Sequence, residues 1–362
     1  MNQSKPASRS RHAMTVALLA CGLLIVTANS GRSAGKPTYS STVKSRRNVK
    51  PKKQSTAPPL TLKSLTAKTF GGRQFWGDVA YFHDWRIQKN VFFGQYRLLD
   101  GDDERHCSGT LEECQAELAV IRKKRNLPPM KGKAVILAHG IIRSSKSFGS
   151  MREELEKQGY LVVGFDYPST QISITDAAEH LASVVESLEG IEQIDFVVHS
   201  LGGLVVRAYL AKQTDKRIQR MVMMGVPNRG AKMADHIQTN LLYKLFYGPA
   251  GQQLGSGEDG LIAKLPTPKF EFAIIAGSKG TINGYNPLVP GDDDGTVSIT
   301  STRLPGAADF LTVRCLHSFL MFNDTAVAAT VRFLETGRLR EKGEPHPIPR
   351  PKPAEKNDDD RP

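Results

Sequence analysis

Three stretches of this 362-residue chain have the residue types and the order needed for nucleophilic acyl transfer. The first is Ile194-Asp195-Phe196-Val197-Val198-His199-Ser200-Leu201-Gly202-Gly203. Here an apolar run that reads as a buried strand stops at a serine, and a helical pattern begins at once with Leu204, Val205, Ala208 and Tyr209. A strand-to-helix turn of this kind holds a serine Oγ clear of its own backbone. Gly202 is expected two residues on because a side chain would clash in so sharp a turn. The second stretch, Lys133 to Ile142, is another buried strand and ends in His139-Gly140. The third lies downstream, where Gly291-Asp292-Asp293-Asp294-Gly295 offers carboxylates in a loop and Phe310 to His317 reads as a strand ending in histidine. A serine, a carboxylate and a histidine in that order supply a nucleophile, an orienting acid and a general base.

That order is the one found in α/β-hydrolases, and the serine turn resembles their nucleophile elbow. The usual G-x-S-x-G pattern has Val198 in place of its first glycine, so the match is partial. Further matching signatures are Ala138-His139-Gly140-Ile141, Phe165-Asp166-Tyr167-Pro168-Ser169, Gly225-Val226-Pro227-Asn228-Arg229-Gly230 and Asp294-Gly295-Thr296-Val297, with His317. As a set covering about residues 131–336, they make the chain similar to bacterial lipases and to the related GPI inositol-deacylase-like group. The resemblance implies an α/β-hydrolase fold, a mostly parallel sheet with helices on both faces. It selects Asp294, directly before Gly-x-Val, over Asp292 and Asp293 as the acid. It also assigns the oxyanion donors to the N–H groups of Ile141 and Leu201.

The implied chemistry is hydrolysis of a carboxylic ester, with a lipid as the expected substrate. His317 takes the Ser200 proton, Ser200 attacks the carbonyl, Asp294 holds the imidazole, and water resolves the acyl-enzyme. No cofactor and no metal is expected. An acyltransferase or a thioesterase would use the same triad. A non-catalytic surface protein binding lipid or cell-wall polymer would show a broken triad, and no such break is present. Plainer readings exist for each residue. Ser200 as an ordinary turn residue, His317 as a packed histidine, and the aspartates as a solvated loop or a Ca²⁺ site are the alternatives. His139 and His199 flank the chemistry and read as structural, and His180 reads as a surface residue.

Stepping outward from these residues, charge divides the chain. Residues 1–70 hold thirteen Lys and Arg and no acidic residue, whereas 71–362 holds as many basic as acidic residues. The basic balance therefore belongs to a tail, and no nucleic-acid partner is inferred from it. Residues 1–30 read as a signal peptide or membrane anchor, with a sixteen-residue apolar run from Ala13 to Ala28 behind Lys5, Arg9 and Arg11. Export, or anchoring to a membrane or cell surface, is the resulting expectation. Leu18-Leu19-Ala20-Cys21 resembles a lipoprotein box, but the apolar run continues past Cys21. The basic residues after Arg32 complicate export, since positive charge tends to stay cytoplasmic. Residues 31–69 read as a basic disordered linker and 338–362 as a proline-rich, charged, disordered tail. The hydrolase domain is placed at 70–337.

Within that domain, strands are expected near 134–138, 160–167, 194–199, 218–226, 270–276 and 310–316. Helices are expected near 147–158, 175–189, 201–212 and 323–336, an alternation that builds a doubly wound sheet. Residues 70–130 are expected to add the first antiparallel strands of that sheet, at 75–82 and 91–99, with a covering helix over 112–124. Cys107 and Cys114 would suit a local disulfide in an exported domain, and Cys315 reads as a core thiol. An apolar cluster, Leu241 to Tyr247, reads equally as a lid or acyl pocket and as a core helix.

Overall fold

The computed structural model describes residues 67–68, 73–230, 249–251, 253–254 and 260–351. The segments 1–66 and 352–362 and the Leu241 to Tyr247 cluster lie outside them, and with them the expectations placed there. Among the described residues, no helix is long and apolar enough to cross a membrane.

The main sheet has six strands: β6 (Gly132–Ala138), β7 (Leu161–Phe165), β8 (Ile191–His199), β9 (Ile218–Met224), β10 (Glu271–Ser278) and β11 (Asp309–Arg314). Their spatial order is β11-β10-β9-β8-β6-β7, and every pairing is parallel. A parallel sheet covered on both faces needs strands that are apolar on both faces. Accordingly, Ala134, Ile136 and Ala138 of β6 belong to one core cluster, and Val135 and Leu137 belong to the other. Helices α3 (Ile174–Ser187) and α4 (Leu201–Lys212) pack into the first cluster. Helices α2 (Gly149–Lys157) and α5 (Asp324–Thr336) fill the second. This is the α/β-hydrolase fold. The chain leaves β7 and crosses to the far side of β6 to form β8, so the strand order reverses at β6. Crevices at the carboxyl ends of strands beside such a reversal are where α/β sheets bind ligands.

The expected antiparallel strands do not extend this sheet. They form a separate five-stranded sheet ordered β1-β5-β4-β3-β2, from β1 (Ala67–Lys68), β2 (Trp76–Phe82), β3 (Trp85–Asn90), β4 (Tyr96–Leu99) and β5 (Glu104–Gly109). Helix α1 (Leu111–Lys124) covers it through Cys114, Leu118 and Ile121, and starts at a capping box between Thr110 and Glu113. Strand β2 packs on α3 and joins the main body where Asp78 N–H donates to the Asp166 carbonyl at 2.8 Å. The strand expected at 91–99 is only half present. The Asn90 side chain accepts from the N–H groups of Phe92 and Phe93, and this turns the chain before β4.

Three smaller expectations are corrected. Cys107 and Cys114 are both free thiols, and burial with the Cys107 thiol alongside pushes Cys114 up to about 12. Cys315 is half-buried, not a core residue. Residues 338–351 are not a free tail. Ile348 exchanges backbone hydrogen bonds with Gly306 and Ala307, and the buried Asp309 carboxylate receives the N–H groups of Leu339 and His346 and the guanidinium of Arg340. That carboxylate satisfies several donors at once, which alternating prolines cannot do for themselves.

Candidate active site

The serine turn sits where β8 runs into α4. Ser200 has φ 53° and ψ −123°, a conformation rarely open to a residue with a Cβ. Its N–H is tied to the Met224 carbonyl at 3.0 Å, and its carbonyl accepts from Gly203 at 3.1 Å. A Cβ on Gly202 would lie 2.3 Å from the Ala138 carbonyl oxygen, so the strand beside it fixes that position as glycine. Val198, standing where the elbow pattern has glycine, is fully buried within β8, with the small Ala138 as its neighbour on β6.

The three residues singled out for chemistry come together across 117 positions of sequence. His317 Nε2 lies 2.9 Å from Ser200 Oγ, and His317 Nδ1 lies 2.7 Å from Asp294 Oδ2. The other Asp294 oxygen accepts from Thr296 N–H at 3.0 Å and Val297 N–H at 2.7 Å, which orients the carboxylate toward the ring. His317 N–H also donates to the Asp294 carbonyl at 2.8 Å, so the acid and the histidine are joined through backbone as well. The neighbouring aspartates have other work. Asp292 receives the N–H groups of Lys279 and Gly280, and Asp293 receives those of Asn286 and Gly295. Burial raises Asp293 while those backbone donors oppose the rise. Among the described residues no cluster of His, Cys, Asp and Glu could hold a metal ion.

Ile141 follows β6 in a turn closed by Arg143 N–H donating to the Gly140 carbonyl at 3.3 Å. Ile142, at φ 61°, donates to Ser169 Oγ at 3.0 Å. The N–H groups of Ile141 and Leu201 have no acceptor among the described residues. The turn lies against the serine: a Cβ on Gly140 would be 3.1 Å from the Ser200 Cβ. It is supported from behind by His139, whose Nδ1 donates to the Gly140 carbonyl at 2.7 Å and whose ring stacks on Tyr167 at 4.3 Å.

Three other residues lie around this arrangement, among them His199, which the sequence placed beside the chemistry as a structural residue. His199 is buried and places Nε2 3.0 Å from the His317 carbonyl, so its Nε2–H holds the backbone of the histidine above it. Burial, then the neighbouring His317 charge, keeps His199 far below the ordinary histidine range and neutral. Asp166 accepts from Ser145 N–H at 2.6 Å and from Arg86 at 3.0 Å, and so links the turn after β6 to the antiparallel sheet. Arg143 is half-buried in that turn, and burial lowers its guanidinium below the ordinary value. Asp166 was visible as part of a matching signature. Arg143 carries no motif that assigns it a role.

A family model described as a domain of unknown function, DUF7379, matches residues 110–251, less than half of the chain. That span contains Ile141, Ser200 and Leu201 and stops before Asp294 and His317. No curated protein matches. Among solved structures, the chain is similar to the mature Bacillus licheniformis lipase BlEst2 at 20% identity, covering 57% of this chain and 91% of that one, with a TM-score of 0.45. A thermophilic esterase from Thermogutta terrifontis matches at 14% identity over 57% and 91% of the two chains, with a TM-score of 0.40. Phospholipase PlaB from Legionella pneumophila matches at 17% identity over 47% and 44%, with a TM-score of 0.41.

Proposed function

We propose that this protein is a serine hydrolase of carboxylic esters that works through an acyl-enzyme. The observation that carries the reading is the unbroken hydrogen-bonded chain from Ser200 Oγ through His317 to Asp294, set at the carboxyl end of a parallel sheet. His317 Nε2 is within reach of the Ser200 proton and acts as general base. Asp294 fixes the tautomer that leaves Nε2 free to accept, and it stabilises the imidazolium. Ile141 and Leu201 N–H groups receive the oxyanion, each contributing roughly 3 kcal/mol to transition-state stabilisation by the scale of measured donors. The protonated His317 then gives its proton to the leaving alcohol, and the neutral ring takes one from the water that attacks the acyl-enzyme and returns it to Ser200. The chain needs no cofactor for these steps.

Lipid is the preferred substrate class. The apolar residues Ile142, Leu288, Leu316 and Phe319, on the loops that carry the oxyanion donor, the acid and the histidine, are 41–54% exposed and suit an acyl chain. With the apolar N-terminal run, this favours an exported or membrane-anchored enzyme. The test is turnover of p-nitrophenyl esters from acetate to palmitate by the full chain, with Ser200→Ala as control. Serine-dependent turnover that rises with chain length is expected. Equal turnover by the alanine variant would overturn the assignment.

A further inference from the structure

Arg143 differs from the arginines that the fold pairs. Arg86 is paired with Asp103 and Asp166, Arg340 with Asp309, and Arg217 with Asp215. Arg207 is saturated by the carbonyls of Leu265, Pro266 and Asn228. The Arg143 guanidinium is half-buried and has neither a carboxylate nor a carbonyl partner among the described residues. Stripping water from a guanidinium without supplying an acceptor is costly, so such a group is normally paired. The place is also unusual. Arg143 closes the turn that carries the Ile141 N–H, two residues away, and Gly140 of the same turn lies against Ser200. The turn is held in a strained shape by Ile142 at φ 61°, and strain of this kind persists where the surroundings enforce it. Burial and then His317 hold His199 below the ordinary histidine range, and the Arg143 charge adds a smaller push in the same direction. No neighbouring carboxylate offsets the burial of the Arg143 guanidinium.

We propose that Arg143 is a specificity residue that binds an anionic group, a carboxylate or a phosphate, carried by the ester close to its scissile carbonyl. The inference rests on the ester-hydrolase reading above and names the substrate within it: an ester with an apolar part for the exposed Ile142 and Leu316 and an anion for Arg143. The planar guanidinium presents parallel N–H donors that match either oxyanion group in a bidentate pair. Being partly desolvated before the substrate arrives, it loses less on binding than a fully hydrated lysine would. No bond is made or broken at Arg143.

The test compares matched esters on the full chain. One is p-nitrophenyl hexanoate, the second is the mono-p-nitrophenyl ester of adipic acid, and the third carries a terminal phosphate at the same chain length. The quantity read is the ratio of kcat/KM on each anionic ester to that on the neutral one. Arg143→Gln is expected to lower the ratio about tenfold or more, with the change carried in KM. Arg143→Lys should keep part of it, and Arg143→Glu should fall below the glutamine variant. Whichever anion shows the larger loss identifies the group recognised. A ratio unchanged in Arg143→Gln, or an equal loss on neutral and anionic esters, would overturn the assignment and leave the hydrolase reading standing. Failure of the wild-type chain to turn over any of the three would overturn both.

Discussion

In the six-stranded sheet Ile136, Phe196, Val198, Met223 and Ile274 fill the space between strands and helices, whereas the five-stranded sheet turns Asp78, Arg86, Gln88 and Arg97 into its interior. Both sets are almost wholly buried. In the first, each side chain is satisfied by contact alone. In the second, each is satisfied only by a specific partner: Gln88 donates to Asp78 and accepts from Arg97, and Arg86 spans Asp103 and Asp166. Apolar packing is forgiving of small shifts, and a hydrogen-bonded charge network is not. The parallel sheet therefore supplies the platform for Ser200, Asp294 and His317. The antiparallel sheet supplies a fixed anchor, through Asp166, for the Ser145 end of the turn that presents Ile141. One sheet carries the proposed chemistry at its edge, and the other holds the loop that bears Ile141 in register.

The sharpest break in this comparison is Arg86→Met. Removing the cation leaves Asp103 and Asp166 without their shared partner, and a loss of about 3–5 kcal/mol is expected for breaking a buried pair from one side. Ile136→Ala, the corresponding lesion in the parallel sheet, should cost about 2–5 kcal/mol by leaving a cavity. Similar size would hide different causes, so the decisive variant is the double change Arg86→Met with Asp166→Asn. Neutralising the stranded carboxylate should recover part of the loss, as read from urea midpoints, while no charge change should rescue Ile136→Ala. A loss below about 1 kcal/mol in Arg86→Met, the scale of a solvated ion pair, would mean that the network is solvated and that the contrast between the sheets is only one of composition.

A smaller effect tests the same network through pH. Burial raises the Asp78 carboxyl to about 7, against the pull of Arg86 and with a further push from Asp166. In the unfolded chain it titrates near 3.9. Between these values the folded protein holds a proton that the unfolded chain has released, so stability falls as pH rises from about 4 to about 7 and then levels off. Asp78→Asn removes that proton and should flatten the slope of the urea midpoint between pH 5 and pH 8. An unchanged slope would place the titration elsewhere.

The two sheets also differ in how far they could be read before folding. The parallel strands are continuous apolar runs, and the expected ranges at 134–138, 194–199 and 270–276 fall within or nearly within β6, β8 and β10. Strand β3, Trp85-Arg86-Ile87-Gln88-Lys89-Asn90, escaped notice because one of its two buried faces is polar and the Asp166 partner lies 80 residues away. Conversely Val91-Phe92-Phe93 reads as strand, yet Phe92 and Phe93 are 57% and 79% exposed in a turn capped by Asn90. Residues with a motif, Ser200 and His317, were legible along with the order that links them to the acid. The resemblance, not the spacing, selected Asp294. His199 was legible as a structural neighbour of the chemistry, but not its bond to the His317 carbonyl, and Arg143 was not legible, since its surroundings are set only by the fold.

The smallest effect concerns a place where the parallel sheet is itself strained. Ser200 is held at φ 53° and ψ −123°, and such a conformation costs about 1–3 kcal/mol for a residue with a Cβ. Glycine adopts it freely but gives back up to about 1 kcal/mol through the greater freedom of the unfolded chain. Both Ser200→Gly and Ser200→Ala lose the hydroxyl and its 2.9 Å contact with His317, so the difference between them isolates the backbone. Ser200→Gly should be the more stable by about 1 kcal/mol, read as a Tm some 2–4 °C higher for a domain of this size, and both should be inactive. That result would mean the parallel sheet stores strain at its proposed nucleophile while its core stays relaxed, the stability–function exchange expected of a working site. Equal midpoints for the two variants would show that the turn around Ser200 relaxes without cost, and that the elbow is shaped by its neighbours Gly202 and Ala138 alone.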